Sequence, residues 1–169
     1  MNYLAFSLGI IAFLLYIFSL QCKNKKNILS FQCLANLFYS LQYFLLNAYS
    51  GAYTSVLAMF RCLFYNHFEK NNKTIPIILP ILFLFLILIF SIFTYKNTIS
   101  LLPILINILF IIFTYIKNLK YLRINALICA ILWFIYNINV EAYGALIGNI
   151  LEIISAIIAL KRYKGEKHE

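Results

Sequence analysis

The sequence predicts an all-α integral membrane protein with seven transmembrane helices, arranged as two parallel three-helix repeats joined by a linker helix. Three observations predict it. The chain of 169 residues is 64% hydrophobic and only 11% charged, with a mean hydropathy of +0.89. Its positive charges fall in short clusters between long apolar runs. Its first part also aligns with its last part, without a gap, at a shift of 94 positions.

Composition bounds the class first. A soluble domain carries about 25% charged residues. A chain of this length cannot hide so much apolar surface in one core, so lipid must solvate the excess. Spans of about 20 residues joined by short loops account for the whole length.

The apolar runs come in order. Span one covers residues 4–21, span two 28–46 and span three 49–66. Span four covers 75–94, span five 98–116, span six 122–139 and span seven 142–160. Nothing basic precedes span one, and Lys23, Lys25 and Lys26 follow it. That order reads as an uncleaved first span with its N-terminus outside. In span four, IPIILPILFLFLILIFSIFT, Pro76 and Pro80 are expected in the first turns, where a missing N–H costs least. With almost no polar group, this span reads as a linker facing lipid.

Charge placement tests the count. The loop after span one holds Lys23, Lys25 and Lys26, the loop after span three Lys70 and Lys73, and the loop after span five Lys117 and Lys120 beside Arg123. The tail holds Lys161, Arg162, Lys164 and Lys167. The tight connection at Asn47–Ser50 leaves five or six spans open as counts, but with seven spans all of these fall on one side, and the other side receives only Lys96. Positive loops face the cytoplasm. The expectation is therefore a cytoplasmic C-terminus in the cell (inner) membrane. The net charge of +9 is then a topology signal facing anionic lipid headgroups, not a nucleic-acid surface.

The repeat sets the architecture. At the 94-residue shift, Lys23, Asn24 and Lys26 fall on Lys117, Asn118 and Lys120, and Ala48 and Tyr49 fall on Ala142 and Tyr143. Spans one to three map onto spans five to seven, and span four returns the chain across the membrane so that both halves share one orientation. The expected units are residues 1–70, a linker at 71–96, a second repeat at 97–161 and a tail at 162–169. Parallel repeats are a transporter plan.

Polar groups within the spans mark candidate sites, because each is costly in hydrocarbon. Trp133, Tyr136 and Asn137 share a face of span six, and Asn149 and Glu152 a face of span seven. The first half offers Tyr39, Gln42 and Tyr43 on span two and Ser55 on span three. One reading is a pocket between the halves, in which aromatics stack on a solute and amides and hydroxyls bond it. Trp133, Asn149, Tyr39 and Ser55 would contact the solute. Tyr136, Asn137, Gln42 and Glu152 would support or gate. The other reading is helix-to-helix adhesion by the same groups. Glu152 needs a proton, a hydrogen bond or a partner, and Arg61 is the basic residue deep enough to pair with it. Gly144 and Gly148, and Gly51 and Ser55, form small-x-x-x-small patterns that permit close helix approach. Pro103 lies within span five, where it permits a kink or hinge, and Gly9 stands at its repeat position.

Other chemistries find no footing. Cys22, Cys33, Cys62 and Cys129 form no CxxC pair, and with His67 and His168 they make no metal motif. There is no Walker A loop, HExxH or GxSxG, and no aspartate. The reading is a non-enzyme with no cofactor, membrane lipid around it and a small polar solute as its partner. A non-transporting structural, assembly or lipid-interacting protein is the alternative.

LRINALICAILWFIYNINVEAYGALIGNILEIISAIIALKR and LQYFLLNAYSGAYTSVLAMFRCLF resemble the bacterial inner-membrane YgjV family. That resemblance implies membrane location. The three-one-three plan also resembles the SWEET and PQ-loop transporters, and this likeness implies a sugar site lined by a Trp on helix six and an Asn on helix seven. Trp133 and Asn149 stand at those places. Of that family's helix prolines only Pro103 is represented, and no Pro-Gln dipeptide is present.

Overall fold

The computed structural model describes residues 2–22, 24–113 and 119–165. Among these the chain forms seven α-helices and no strand. They are α1 (Tyr3–Gln21), α2 (Lys25–Leu45), α3 (Tyr49–Lys70), α4 (Ile78–Thr94), α5 (Leu101–Phe113), α6 (Leu119–Asn139) and α7 (Tyr143–Gly165). Each overlaps one apolar run of the sequence. Lys23 and Lys117 of the loop clusters and Lys167 of the tail lie outside the described residues.

Local chemistry sets several boundaries. The Asn2 side chain caps α1 by accepting from the Ala5 N–H. Pro76 falls before α4 rather than in its first turn, and its carbonyl accepts from Leu79 N. Pro80 does stand in that first turn. A short 3-10 turn, Thr98–Ser100, leads into α5 and is capped by the Asn97 side chain. Pro103 is therefore in the first turn of α5, not in mid-helix. An N–H at that position would have no α-helical partner, so the ring breaks no such bond. Any hinge here belongs to the junction of the 3-10 turn with α5.

α2 lies against α1 and α3, and α6 lies against α5 and α7. α1 also meets α7, and α3 meets α5. These two contacts exchange under the 94-residue shift. α4 touches α3 and α5. It buries one stripe, Leu79, Pro80, Phe83 and Ile87, and leaves the rest of its apolar surface exposed.

There are two apolar cores. One joins α2, α3, α4 and α5 through Leu29, Leu57, Phe83, Ile87, Ile104 and Ile111. The other lies where the helical hairpins turn: Tyr43, Ala48, Ala52, Tyr136, Ala142 and Ala145. Small residues there let the elements approach closely. Gly144 does so most sharply, since a Cβ on it would stand 2.5 Å from the Phe6 carbonyl oxygen and 3.0 Å from Gly9 Cα.

Large apolar side chains cover the outside. Phe85 is 59% exposed, Ile92 76% and Phe93 79%, and exposed Leu, Ile and Phe occur on every helix from α1 to α7. Among the described residues no helix is long and apolar enough to cross a membrane. α1 has 19 residues and α4 has 17, near the roughly 20 that a span requires.

Candidate functional site

The site is built on two matching turns. After α2, Asn47 takes a left-handed backbone, φ 55°, and after α6 Glu141 does the same, φ 56°. In the first turn Ala48 N donates to Tyr43 O and Asn47 N to Phe44 O. In the second, Ala142 N donates to Asn137 O and Glu141 N to Ile138 O. Each partner in the second set is 94 residues on from its counterpart in the first. Both are Schellman caps, in which a left-handed residue lets the chain close back on the last helical carbonyls. The caps aim α3 and α7 back along α2 and α6, and they bring the ends of α2 and α6 together.

There, Tyr43 Oη donates to Asn137 Oδ1 at 2.8 Å. The two residues are 94 positions apart, the shift at which the sequence aligns with itself. Asn137 Nδ2 then donates to Asn149 Oδ1 at 2.7 Å. This makes a continuous polar chain from α2 through α6 to α7. Glu152 follows Asn149 by three residues on α7, about one helical turn away. Glu152 is nine residues into α7, about 14 Å along the helix.

Aromatic rings surround the upper part of that chain. Tyr43 stacks on Trp133, with centroids 5.8 Å apart and planes 8° apart, and stacks on Tyr39 at 6.3 Å. Tyr136 meets both Tyr43 and Trp133 edge-on. Its hydroxyl accepts from Gly51 N at 2.9 Å and lies 3.1 Å from Ser50 Oγ. Gly51 is required here, because a Cβ on it would stand 2.6 Å from that hydroxyl. The small residue thus seats a tyrosine rather than a neighbouring helix backbone.

The expected residues separate into three groups. Trp133, Tyr39, Tyr136, Asn137 and Asn149 come together in this cluster, and Glu152 stands three residues beyond Asn149 on α7. Ser55 is buried on α3, but the α3 hydroxyl that meets the aromatic rings belongs to Ser50. The Arg61 guanidinium lies over the Phe110 ring at 5.9 Å. Ser50 and Gly51 were not singled out by the sequence as members of the site. For Ser50 the available signal was its place beside the turn at Asn47.

Gln42 is fully buried, and neither atom of its amide meets a protein partner. Gly9 makes room for it, since a Cβ there would stand 2.5 Å from Gln42 Nε2. A cavity of about 20 Å³ adjoins the amide, bordered by Asn2, Phe6, Leu46, Glu141 and Tyr143. That is room for one water molecule. Gln42 and Tyr136 are repeat counterparts, yet only Tyr136 is satisfied by protein groups.

A larger cavity of about 360 Å³ opens where the turns meet. Asn47, Tyr49, Lys96, Asn97, Tyr136 and Glu141 are on its wall. Lys96 Nζ donates to Asn47 O at 3.3 Å and sits 4.5 Å from the Tyr49 ring centre. The Tyr136 hydroxyl links this cavity to the aromatic cluster. Among the described residues no group of His, Cys, Asp or Glu has the arrangement of a metal site.

No curated protein and no solved structure matches the chain. One family model does, over residues 3–167, nearly the whole length, and its description is bacterial inner membrane protein. The chain belongs to the Imp-YgjV family of bacterial inner membrane proteins.

Proposed function

We propose that the protein is a multi-pass carrier or facilitator for a small polar solute, built on a SWEET-like three-one-three plan. The observation that carries the reading is the Tyr43–Asn137 bond between residues 94 apart. It puts a polar, aromatic-lined contact at the boundary of two equivalent halves, which is where a carrier of parallel repeats binds its solute. The exchange of the α1–α7 and α3–α5 contacts under the same shift supports two bundles able to rock against each other.

Membrane spanning rests on family membership and on the apolar side chains that face outward from every helix. At about 1.5 Å per residue, the 19 residues of α1 extend about 28 Å and the 23 of α7 about 35 Å. A hydrocarbon core is about 30 Å thick. In this orientation the turns at Asn47, Lys96 and Glu141 face outside, and the solute enters by the 360 Å³ cavity. Trp133 and Tyr39 stack on it, Asn149 bonds it, and Glu152 closes the inner end of the chain.

A second reading has its own support. Tyr43, Asn137 and Asn149 satisfy one another directly, as groups that only hold helices together would. The protein would then be a structural, assembly or lipid-interacting factor. Ligand-induced stabilisation separates the two. A ligand that binds only the folded state raises its stability by mass action. Detergent-purified protein is heated with sugars, nucleosides and vitamins, beside Trp133→Ala. A rise in Tm with one solute class, lost in the variant, supports the carrier. No rise across the set, with both proteins folded, supports the structural role.

A further inference from the structure

We propose that the cavity at the turns binds a small zwitterion of the amino-acid class, its carboxylate on Lys96 and its ammonium on Glu141. This rests on the carrier reading above, names the solute class, and makes the cavity an entry site ahead of Trp133, Tyr39 and Asn149, which are not on its wall. The cavity, at about 360 Å³, falls within the range of small-molecule sites, about 300–1,000 Å³. Among the described residues on its wall, Lys96 is the one cation and Glu141 the one anion.

Both charged residues are held in unusual ways. The Lys96 ammonium rests on a backbone carbonyl and an aromatic face, both uncharged. An ammonium has three donors, so one or more remain for a carboxylate. Glu141 occupies a left-handed position, φ 56°. A Cβ is disfavoured there, and glycine or asparagine is the usual occupant. The matching turn follows that rule with Asn47. A glutamate at such a position points to a use for its carboxylate.

Charge selects the ligand class. A simple anion meets Lys96 but is opposed by Glu141. A simple cation meets the reverse. A neutral sugar displaces water from both charges and pairs neither. A zwitterion answers both, and the Tyr136 hydroxyl and Asn97 on the same wall supply further hydrogen bonding.

The test heats the full-length purified protein with glycine, L-leucine or L-phenylalanine. Acetate, methylamine and glucose serve as single-charge and neutral controls. Lys96→Gln and Glu141→Gln keep side-chain size and lie on turns, so both should fold. The expected result is a rise in Tm with at least one amino acid and a smaller rise with each control. Each variant should weaken the amino acid by about tenfold or more, the equivalent of about 1.4 kcal/mol. Glu141→Gln should improve the response to acetate. An amino-acid response unchanged in both variants overturns the inference. So does a response to glucose that is lost in Trp133→Ala but indifferent to both charge variants, an outcome that leaves the carrier reading standing. No response to any solute rejects both.

Discussion

Gly144→Ala tests the contact between the two halves. Helix propensity alone favours alanine by about 1 kcal/mol. Packing opposes it. The new Cβ would stand 2.5 Å from the Phe6 carbonyl oxygen, 3.0 Å from Gly9 Cα and 3.1 Å from Ile10 N, all backbone of α1. Relief to an ordinary contact of 3.4 Å requires α1 and α7 to part by about 0.9 Å. Overpacking of this kind costs about 1–3 kcal/mol. With three rigid backbone atoms in the way the cost falls in the upper part of that range, about 2–3 kcal/mol, so the net expectation is a loss of roughly 1–2 kcal/mol, or about 2–8 °C in Tm for a chain of this size. Gly148→Ala is the control. Its Cβ would meet the Phe13 ring at 2.5 Å, a side chain that can swing aside. Thermal unfolding in detergent, followed by fluorescence, reads both. If Gly144→Ala proved as stable as wild type, α1 and α7 would not meet as described, and the boundary between the halves would lie elsewhere.

Three further predictions follow from the site. A double-mutant cycle of Tyr43→Phe and Asn137→Leu should show a coupling of roughly 0.6–1.7 kcal/mol, the range for interhelical hydrogen bonds in membranes, and additive losses would mean that the 2.8 Å bond contributes nothing. Gln42→Leu should be no less stable than wild type in thermal unfolding, because the buried amide has no protein partner to lose and an apolar group of similar size removes a desolvated polar one. Glu141→Gly should stabilise the protein by roughly 1 kcal/mol through relief of the left-handed position, while abolishing any gain in Tm from amino acids.

The helices were legible because their signal is composition over a long window. All seven apolar runs became helices, and the shift of 94 reappears as two identical caps at Asn47 and Glu141. The caps themselves were hidden, because a glutamate in a left-handed turn breaks the usual sequence rule. The shared face of α6 was legible, because spacing alone puts Trp133, Tyr136 and Asn137 together. Contacts between helices were not. Ser55 was chosen because it is the repeat counterpart of Asn149, but the side chains at counterpart positions differ in length. Tyr136 reaches across to Ser50 and Gly51, whereas Gln42 ends beside Gly9. Arg61 was matched to Glu152 by depth alone, and depth does not say which way a side chain turns. It lies over Phe110. Pro103 was read from the apolar run, whose start includes the 3-10 turn, and so appeared deeper in its helix than it is.

The most direct test of the central claim is solute flux through the reconstituted protein. Proteoliposomes loaded with an unlabelled solute that raises Tm are diluted into a trace of the same solute, labelled. Wild type should show saturable counterflow, and Trp133→Ala reconstituted to the same level should show none. Flux no greater than in empty vesicles, from wild-type protein that still binds the solute, would contradict transport.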